Sequence, residues 1–535
     1  MTNLAVPRPH DRPAGPSPLK IGAWLAAGLA ILPLLAIVWL ALTRPSATAM
    51  PLSLILQYGV TTAALGGLTA VAVTVLGTSA AWLVVMYRFP GRSLFGWALA
   101  LPLAAPAFAL AYGYADLLDV AGPIRTALRA SFGSDFWPME IRSLPGAAFI
   151  LSMAFYPYVY LTARSAFISQ SVCALEASRT LGSTPWETLT RVALPLARPA
   201  IIAGTALALM EVFADYGAVS FLGVQTLTTG VVRAWSVYGA PGSAARLSLL
   251  LLAVAAVLLW LERSGRQDQS FGANSARWRP LEPQPLQGWA SWGASLFCLS
   301  LISFGLLIPA GWLSYRALSA APEADRLIQA ALTSFSLGGV GALVTVALSA
   351  LIAFGAPHSH RIKRLASLGY ATPGAVMAVG LLAPASLIWQ GAGSEGSQTV
   401  ALALSLLILA YAARLMASAL GPIEAGLTRV TPSMDRASRT LGETEAGTLR
   451  RVHVPIAKGA LLTATLLVFV DVLKELPATL ILRPFNFDTL AVLADRYASD
   501  ERLAQAAWPT LLIVLTASLP IIILSRKIMQ SRPGE

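Results

Sequence analysis

Five ionisable side chains stand inside two otherwise apolar segments, Glu211 and Asp215 in the first and Asp471, Lys474 and Glu475 in the second. The two acids of each segment are four residues apart and therefore share one face of a helix. Four acids and one base leave a formal charge of −3, which attracts cations and repels sulfate, molybdate or phosphate. Carboxylate oxygens suit hard metal ions. We therefore predict that these five residues form the translocation path or gate for a cation, with no fixed metal site assigned.

A purely structural role for the same residues stays open. A charge on a membrane span costs roughly 2.5 to 3.5 kcal/mol at the bilayer centre, so these groups must face protein or water. Lys474 and the acids could pair between helices without touching a substrate. Asp471 lies roughly 24 Å along its helix from Pro455, which favours a position toward the outer side of the membrane.

The helices that carry these residues must be membrane spans. Only 12% of the 535 residues are charged and 56% are hydrophobic, whereas soluble chains carry about 25% charged residues. Runs long enough to cross about 30 Å of hydrocarbon predict an all-α membrane protein with about 12 transmembrane helices. They lie near 21–43, 58–86, 94–118, 147–166, 197–222, 245–261, 289–315, 331–355, 366–390, 397–418, 456–480 and 506–525. Pro102, Pro106, Pro373 and Pro384 interrupt predicted spans and act as hinges or as ordinary kinks.

The chain contains an internal repeat. Residues 177–182 (ASRTLG) recur unchanged as residues 437–442, and the match continues at the same offset of 260 residues into the next apolar helix. Glu211 corresponds to Asp471, and Asp215 to Glu475. The repeat predicts two fused six-helix halves, and because six is even the halves run parallel. We assign residues 21–262 to the first half, 263–288 to a linker and 289–526 to the second half.

Basic residues indicate the orientation. With the N-terminus inside, most of the 38 Lys and Arg residues fall in cytoplasmic segments, and we count Arg414 among them. Residues 1–20 and 527–535 then form cytoplasmic tails. This bias explains the net charge of +12 as a topology signal, and we expect no nucleic-acid partner.

The repeated segments 176–195 and 435–455 are polar and lie between predicted spans on the cytoplasmic side. Their pattern predicts a short helix, a turn at Gly182 or Gly442, and a second helix. Pro195 and Pro455 stand where the next membrane helix begins, a position in which the missing donor costs little. A connector resting on anionic lipid is the simpler interpretation.

The repeated segments resemble the cytoplasmic EAA loop of ABC importer permeases. Glu176, Ala177 and Ser178 precede Gly182 and, nine residues later, the ending at Pro195. In the second copy Ala437 and Ser438 precede Gly442 and Pro455, with Arg436 where the family has Glu, which leaves unequal coupling of the two halves open. The resemblance implies a type I ABC importer permease fold in the bacterial inner membrane. It also implies that each loop docks into a groove of an ATP-hydrolysing subunit, as a helix-in-groove contact.

The phosphate-binding loop of many ATP-hydrolysing proteins has the pattern Gly-x-x-x-x-Gly-Lys-Ser/Thr. The chain has no Gly-Lys pair and therefore lacks this loop. We therefore expect a translocation subunit that is not itself an enzyme and binds no cofactor. The expected partners are two copies of an ABC ATP-binding subunit, which carry the ATP, a periplasmic substrate-binding protein and the lipid bilayer.

Two further segments narrow the resemblance. Residues 211–230 and 474–490 are similar to those of the fused two-half permeases of ferric-iron importers, and the resemblance runs from about residue 55 to residue 526. It implies import of ferric iron by alternating access. Related fused permeases move thiamine, which is also a cation, so that substrate remains an alternative. An ion-coupled secondary transporter is the alternative class, because a parallel repeat with buried carboxylates suits it as well.

Overall fold

The computed structural model describes residues 18–43, 50–133, 140–169, 178, 180, 182, 184–267, 283–357, 359–370, 372–391 and 396–530. Within them the protein is helical, apart from two short parallel-paired strands, β1 (Tyr87–Arg88) and β2 (Gln284–Pro285). A helix satisfies its own backbone donors and acceptors, which is what a hydrocarbon environment requires. Most of the predicted N-terminal tail and linker lies outside the described residues.

The first half contains ten described helices. They are α1 (Pro18–Thr43), α2 (Leu52–Met86), α3 (Arg92–Ala98), α4 (Ala107–Leu118), α5 (Pro123–Phe132), α6 (Leu144–Ser169), α7 (Pro185–Ala214), α8 (Gly217–Phe221), α9 (Leu227–Ser236) and α10 (Pro241–Gln267).

The second half has a similar order in the described residues, without a counterpart of α5 and with a helix in the repeated loop. Its helices are α11 (Trp289–Leu318), α12 (Ala324–Gly355), α13 (His360–Ser367), α14 (Gly374–Gly391), α15 (Gly396–Leu427), α16 (Pro432–Thr440), α17 (Ala446–Lys474), α18 (Pro477–Leu482), α19 (Leu490–Ser499) and α20 (Leu503–Gln530).

The helices confirm the all-α membrane architecture. Among the described residues, ten helices are long and apolar enough to cross a membrane, or eleven if the bent pair Arg92–Ala104 and Ala107–Phe132 counts as one span. The sequence predicts about twelve spans. The two predicted spans that have no counterpart among these ten helices, 94–118 and 366–390, occupy corresponding places in the two halves.

These two spans are broken because proline removes a backbone donor and clashes with the preceding turn. In the first half a 3-10 turn, Leu101–Ala104, separates α3 from α4, and the chain bends by 88°. In the second half α13 ends at Ser367 and α14 starts just after Pro373. Pro384, by contrast, lies within the helix α14.

The predicted helix starts at Pro195 and Pro455 are wrong. Each proline lies inside one continuous helix, α7 or α17, two residues after a π-helical turn. A wider turn before the proline accommodates the ring and the missing hydrogen bond without ending the helix. The second helix of each repeated loop therefore continues directly into the membrane. The helices of the predicted spans 197–222 and 456–480 are likewise shorter at their ends, because α7 ends at Ala214 and α17 ends at Lys474.

The first helix of each half packs against the opposite half. Helix α1 lies against α12 and α14, and α11 lies against α4 and α6. Small residues allow these close approaches. A Cβ atom on Gly380 would come within 2.3 Å of the Pro33 carbonyl oxygen, and one on Gly113 within 3.0 Å of the Pro309 Cβ. The two halves also share an apolar core, which includes Leu110, Val219, Leu313 and Val492, so they form one body.

Candidate functional site

The five predicted gate residues line one cavity of about 110 Å³ between the two halves. Positions related by the repeat line it from both halves. At the offset of 260 residues, the corresponding pairs are Glu211 with Asp471, Ala214 with Lys474, Asp215 with Glu475, Tyr216 with Leu476, and Gly217 with Pro477.

Asp215 and Glu475 serve as helix caps. One Asp215 carboxylate oxygen accepts hydrogen bonds from the backbone amides of Ala218 and Val219, both at 3.1 Å. The Glu475 carboxylate accepts from the amides of Ala478 and Thr479, both at 3.2 Å. Each acid thus satisfies free donors in the first turn of the short helix that follows it, α8 or α18. The structural alternative therefore describes these two acids well.

Glu211 and Asp471 leave part of their carboxylates facing the cavity. Their side chains are 26% and 38% exposed. The Tyr370 hydroxyl donates to Glu211 over 3.5 Å, and the Lys474 ammonium lies 3.7 Å from Asp471. These contacts are longer than good charged hydrogen bonds, which measure about 2.7 to 2.9 Å. Glu211 and Asp471 are thus the acids of the cluster that could exchange a protein partner for a bound cation.

Arg414 also lines the cavity, although it was not among the predicted site residues. We assigned it to the cytoplasmic basic residues, but it lies within α15, 14% exposed, with its guanidinium 3.1 Å from Glu475 and 3.8 Å from Glu211. Two cations and four acids give the cavity a formal charge of −2 rather than the expected −3. The repeat gives no signal for this residue, because the identities at the 260-residue offset begin only at Ala177 and Ala437.

Lys474 links the two halves through the backbone. Its ammonium donates to the Leu103 carbonyl oxygen over 3.0 Å, and Leu103 lies in the 3-10 turn at the broken span of the first half. Broken membrane helices need polar groups to satisfy their free carbonyls. Within the cavity, a side-chain ion pair between Glu211 and Arg414 also bridges the halves. Within the described residues, no three His, Cys, Asp or Glu side chains are grouped to hold a metal ion.

One hydrogen bond recurs in the described residues of both repeated loops. The buried hydroxyls of Ser178 and Thr188 lie 3.1 Å apart, and those of Ser438 and Thr448 lie 2.8 Å apart. Each bond joins the short helix to the start of the following long helix. Glu176 and Ala177 lie outside the described residues.

The turn glycines and the loop surfaces also correspond. Gly182 and Gly442 have φ of +82° and +83°, a left-handed conformation that costs other residues free energy. A Cβ on either glycine would meet nothing within 4 Å. Leu441 is 84% exposed and Trp186 71% exposed, while Ala437, Pro195 and Pro455 are exposed as well. Large apolar side chains exposed on a polar loop indicate a contact surface for another protein.

One helix in each half connects its loop to the cavity. Helix α7 runs from the loop residue Trp186 to Glu211, roughly 38 Å at 1.5 Å per residue. Helix α17 makes the same connection to Asp471. A continuous helix therefore joins each loop to one acid of the cavity.

The two halves of the sequence match a known protein family. The family model described as binding-protein-dependent transport system inner membrane component matches residues 73–264 and again residues 341–531. The chain belongs to this family. It is a multi-pass inner membrane permease, and the family model matches each half separately.

The family includes relatives with several substrates in their names. The Fe(3+)-transport system permease protein FbpB 2 of Haemophilus influenzae is 26% identical over 464 residues, covering 84% of this chain and 86% of that protein. The molybdenum transport system permease protein ModB of Escherichia coli is 30% identical over 197 residues, covering 35% of this chain and 84% of that protein. The sulfate transport system permease protein CysT of Escherichia coli is 30% identical over 151 residues, covering 28% of this chain and 52% of that protein.

Proposed function

We propose that this permease is the transmembrane subunit of an ATP-driven importer that carries ferric iron from the periplasm to the cytoplasm. A periplasmic binding protein delivers the iron at the outer side. Two copies of an ATP-binding subunit dock on the inner side, one on each repeated loop. Both termini are cytoplasmic in this arrangement.

The negative cavity at the far ends of α7 and α17 is the observation that carries this proposal. Its lining combines four acids with two cations, and a net negative charge raises the local concentration of cations. Sulfate is repelled by the same field. The similarity to the iron permease FbpB 2 extends over both halves, whereas the matches to ModB and CysT cover about a third of this chain each.

Transport follows from the coupling of loops and cavity. ATP binding closes the two partner subunits on each other and draws the two loops together. Because α7 and α17 are continuous, this movement separates their far ends, which carry Glu211 and Asp471. The cavity then opens to the loaded binding protein, and ATP hydrolysis restores the closed arrangement.

Uptake by reconstituted vesicles tests the proposal. The vesicles contain the permease, its ATP-binding subunit and internal ATP, and the binding protein loaded with radioactive Fe(III) is supplied outside. We expect uptake that requires ATP and persists with a protonophore. Excess thiamine or sulfate, added with the binding protein, should not compete.

Two results would contradict the proposal. Collapse of uptake with the proton gradient would favour a secondary transporter. ATP-dependent uptake of thiamine or sulfate, with no uptake of iron, would retain the importer and reject its assigned substrate.

A further inference from the structure

Arg414 breaks the symmetry of the cavity. It lines the cavity from the second half, together with Lys474, whereas the lining residues of the first half include no Lys or Arg. The first half therefore contributes two acids and no cation, whereas the second contributes two acids and two cations. A single guanidinium lies between the acids of both halves.

Arg414 is held unequally by its two acids. Its contact with Glu475 is 3.1 Å long, and Glu475 is 1% exposed, belongs to the same half and is fixed by its capping bonds to α18. The contact with Glu211 is 3.8 Å long and crosses to the other half, where Glu211 is 26% exposed. The shorter, more buried contact is the stronger one. If the halves separate, Arg414 stays with Glu475 and leaves Glu211.

We propose that Arg414 is a tethered counter-ion that occupies Glu211 while the halves are closed and yields that carboxylate to the transported cation when they open. This inference rests on the proposed function, since it assumes that the permeant ion is positive. It identifies Arg414 as a positioning residue that sets when the cavity accepts a cation. In the closed state the guanidinium neutralises Glu211, and the closed cavity therefore binds cations weakly.

Removal of the tethered charge should strengthen cation binding in the closed state. Terbium(III) is a suitable probe because it is a hard trivalent cation and the nearby ring of Tyr370 can sensitise its luminescence. In the full-length permease in nanodiscs without ATP, Arg414→Met should tighten terbium binding at least about tenfold, since a positive charge within 4 Å of the site is lost. The double variant Arg414→Met/Glu211→Gln should lose this gain.

Matched variants separate the effect from misfolding and from general charge. Arg326→Met removes a positive charge from an exposed ion pair with Glu323 outside the cavity, and terbium binding should stay at the level of the unmodified protein. Arg414→Met leaves the Glu475 charge buried without its cation, which can prevent folding. Arg414→Met/Glu475→Gln removes both charges, keeps Glu211 without a counter-ion and should show tighter terbium binding as well.

An unchanged or weaker terbium affinity in a folded Arg414→Met/Glu475→Gln protein would overturn the inference. An equal gain in Arg326→Met would also overturn it, because the effect would then be one of net charge. The test is independent of the substrate assignment. If iron uptake fails while terbium binding responds as expected, the tethered counter-ion stands and the iron assignment falls.

Discussion

At the scale of single residues, the four acids form two pairs of equivalent positions, and the two pairs have different roles. The i, i+4 spacing predicted that each pair shares a helix face, and all four acids do line one cavity. The spacing could not predict which acid ends a helix. Asp215 and Glu475 each directly follow the last residue of a helix, and each caps the next helix. Glu211 and Asp471 lie one turn earlier and face the cavity.

This division predicts different consequences for Glu211→Gln and Glu475→Gln. The Glu211 variant should lose most iron uptake and retain its assembly, because a cation ligand loses its charge while no capping bond is removed. The Glu475 variant should lose about 1 to 3 kcal/mol of stability, because charged hydrogen bonds to two amides and Arg414 are weakened. Uptake in vesicles and thermal unfolding in detergent measure the two effects.

Asp471→Asn serves as the matched comparison for Glu211→Gln. Asp471 has the equivalent position and a comparable exposure, so its loss should also affect uptake more than unfolding. Normal uptake in both Glu211→Gln and Asp471→Asn would show that all four acids have only a structural role.

Arg414 shows why part of the site was not predictable. The predicted span 397–418 ends four residues after Arg414, and an arginine near a cytoplasmic helix end is a common topology signal. The actual helix α15 continues to Leu427, so Arg414 lies in the interior of the helix. Helix length in the cytoplasmic region depends on packing against neighbours, which apolar composition does not report.

At the scale of elements, the repeated loop is the part that the sequence predicted best. The short helix, the glycine turn and the second helix are present in the described residues of the second copy. That prediction depended on identical residues that recur in the two halves at a fixed offset. The continuation through Pro195 and Pro455 was missed, because proline usually marks a helix start and a π-helical turn has no sequence signature of its own.

Replacement of the turn glycines tests whether these loops dock on the ATP-binding subunit. Gly182→Val and Gly442→Val should abolish permease-stimulated ATP hydrolysis and leave membrane insertion intact. Valine is strained at a positive φ by about 1 to 2 kcal/mol, so the two helices of the loop lose their relative position. ATP hydrolysis by the reconstituted complex is the measurement.

Asparagine at the same positions is the control, because it tolerates the left-handed conformation. Gly182→Asn and Gly442→Asn should retain most of the stimulation if backbone conformation is what matters. Loss of stimulation in both series would indicate that the partner occupies the space beside the glycine. Full stimulation in the valine variants would refute the docking assignment.

At the scale of the whole molecule, the two halves exchange their first helices, since α1 packs against the second half and α11 against the first. This exchange explains how two halves behave as one permease. Each half contacts the other through α1 or α11 as well as through the cavity residues. The sequence did not predict this arrangement. Membrane helices pack without a hydrophobic driving force between them, so the apolar faces of α1 and α11 do not identify the helices that they contact.

Three glycines provide a graded test of these contacts between the halves. Gly380→Ala should destabilise the protein most, by about 1 to 3 kcal/mol, because its Cβ would lie 2.3 Å from the Pro33 carbonyl oxygen. Gly113→Ala should cost less, since its Cβ would lie 3.0 Å from the Pro309 Cβ. Gly339→Ala meets nothing within 4 Å and should be neutral or slightly stabilising, because alanine favours the helix. Thermal unfolding of the three variants in one detergent measures this order, and equal melting temperatures for Gly380→Ala and Gly339→Ala would show that the exchanged helices do not hold the halves together.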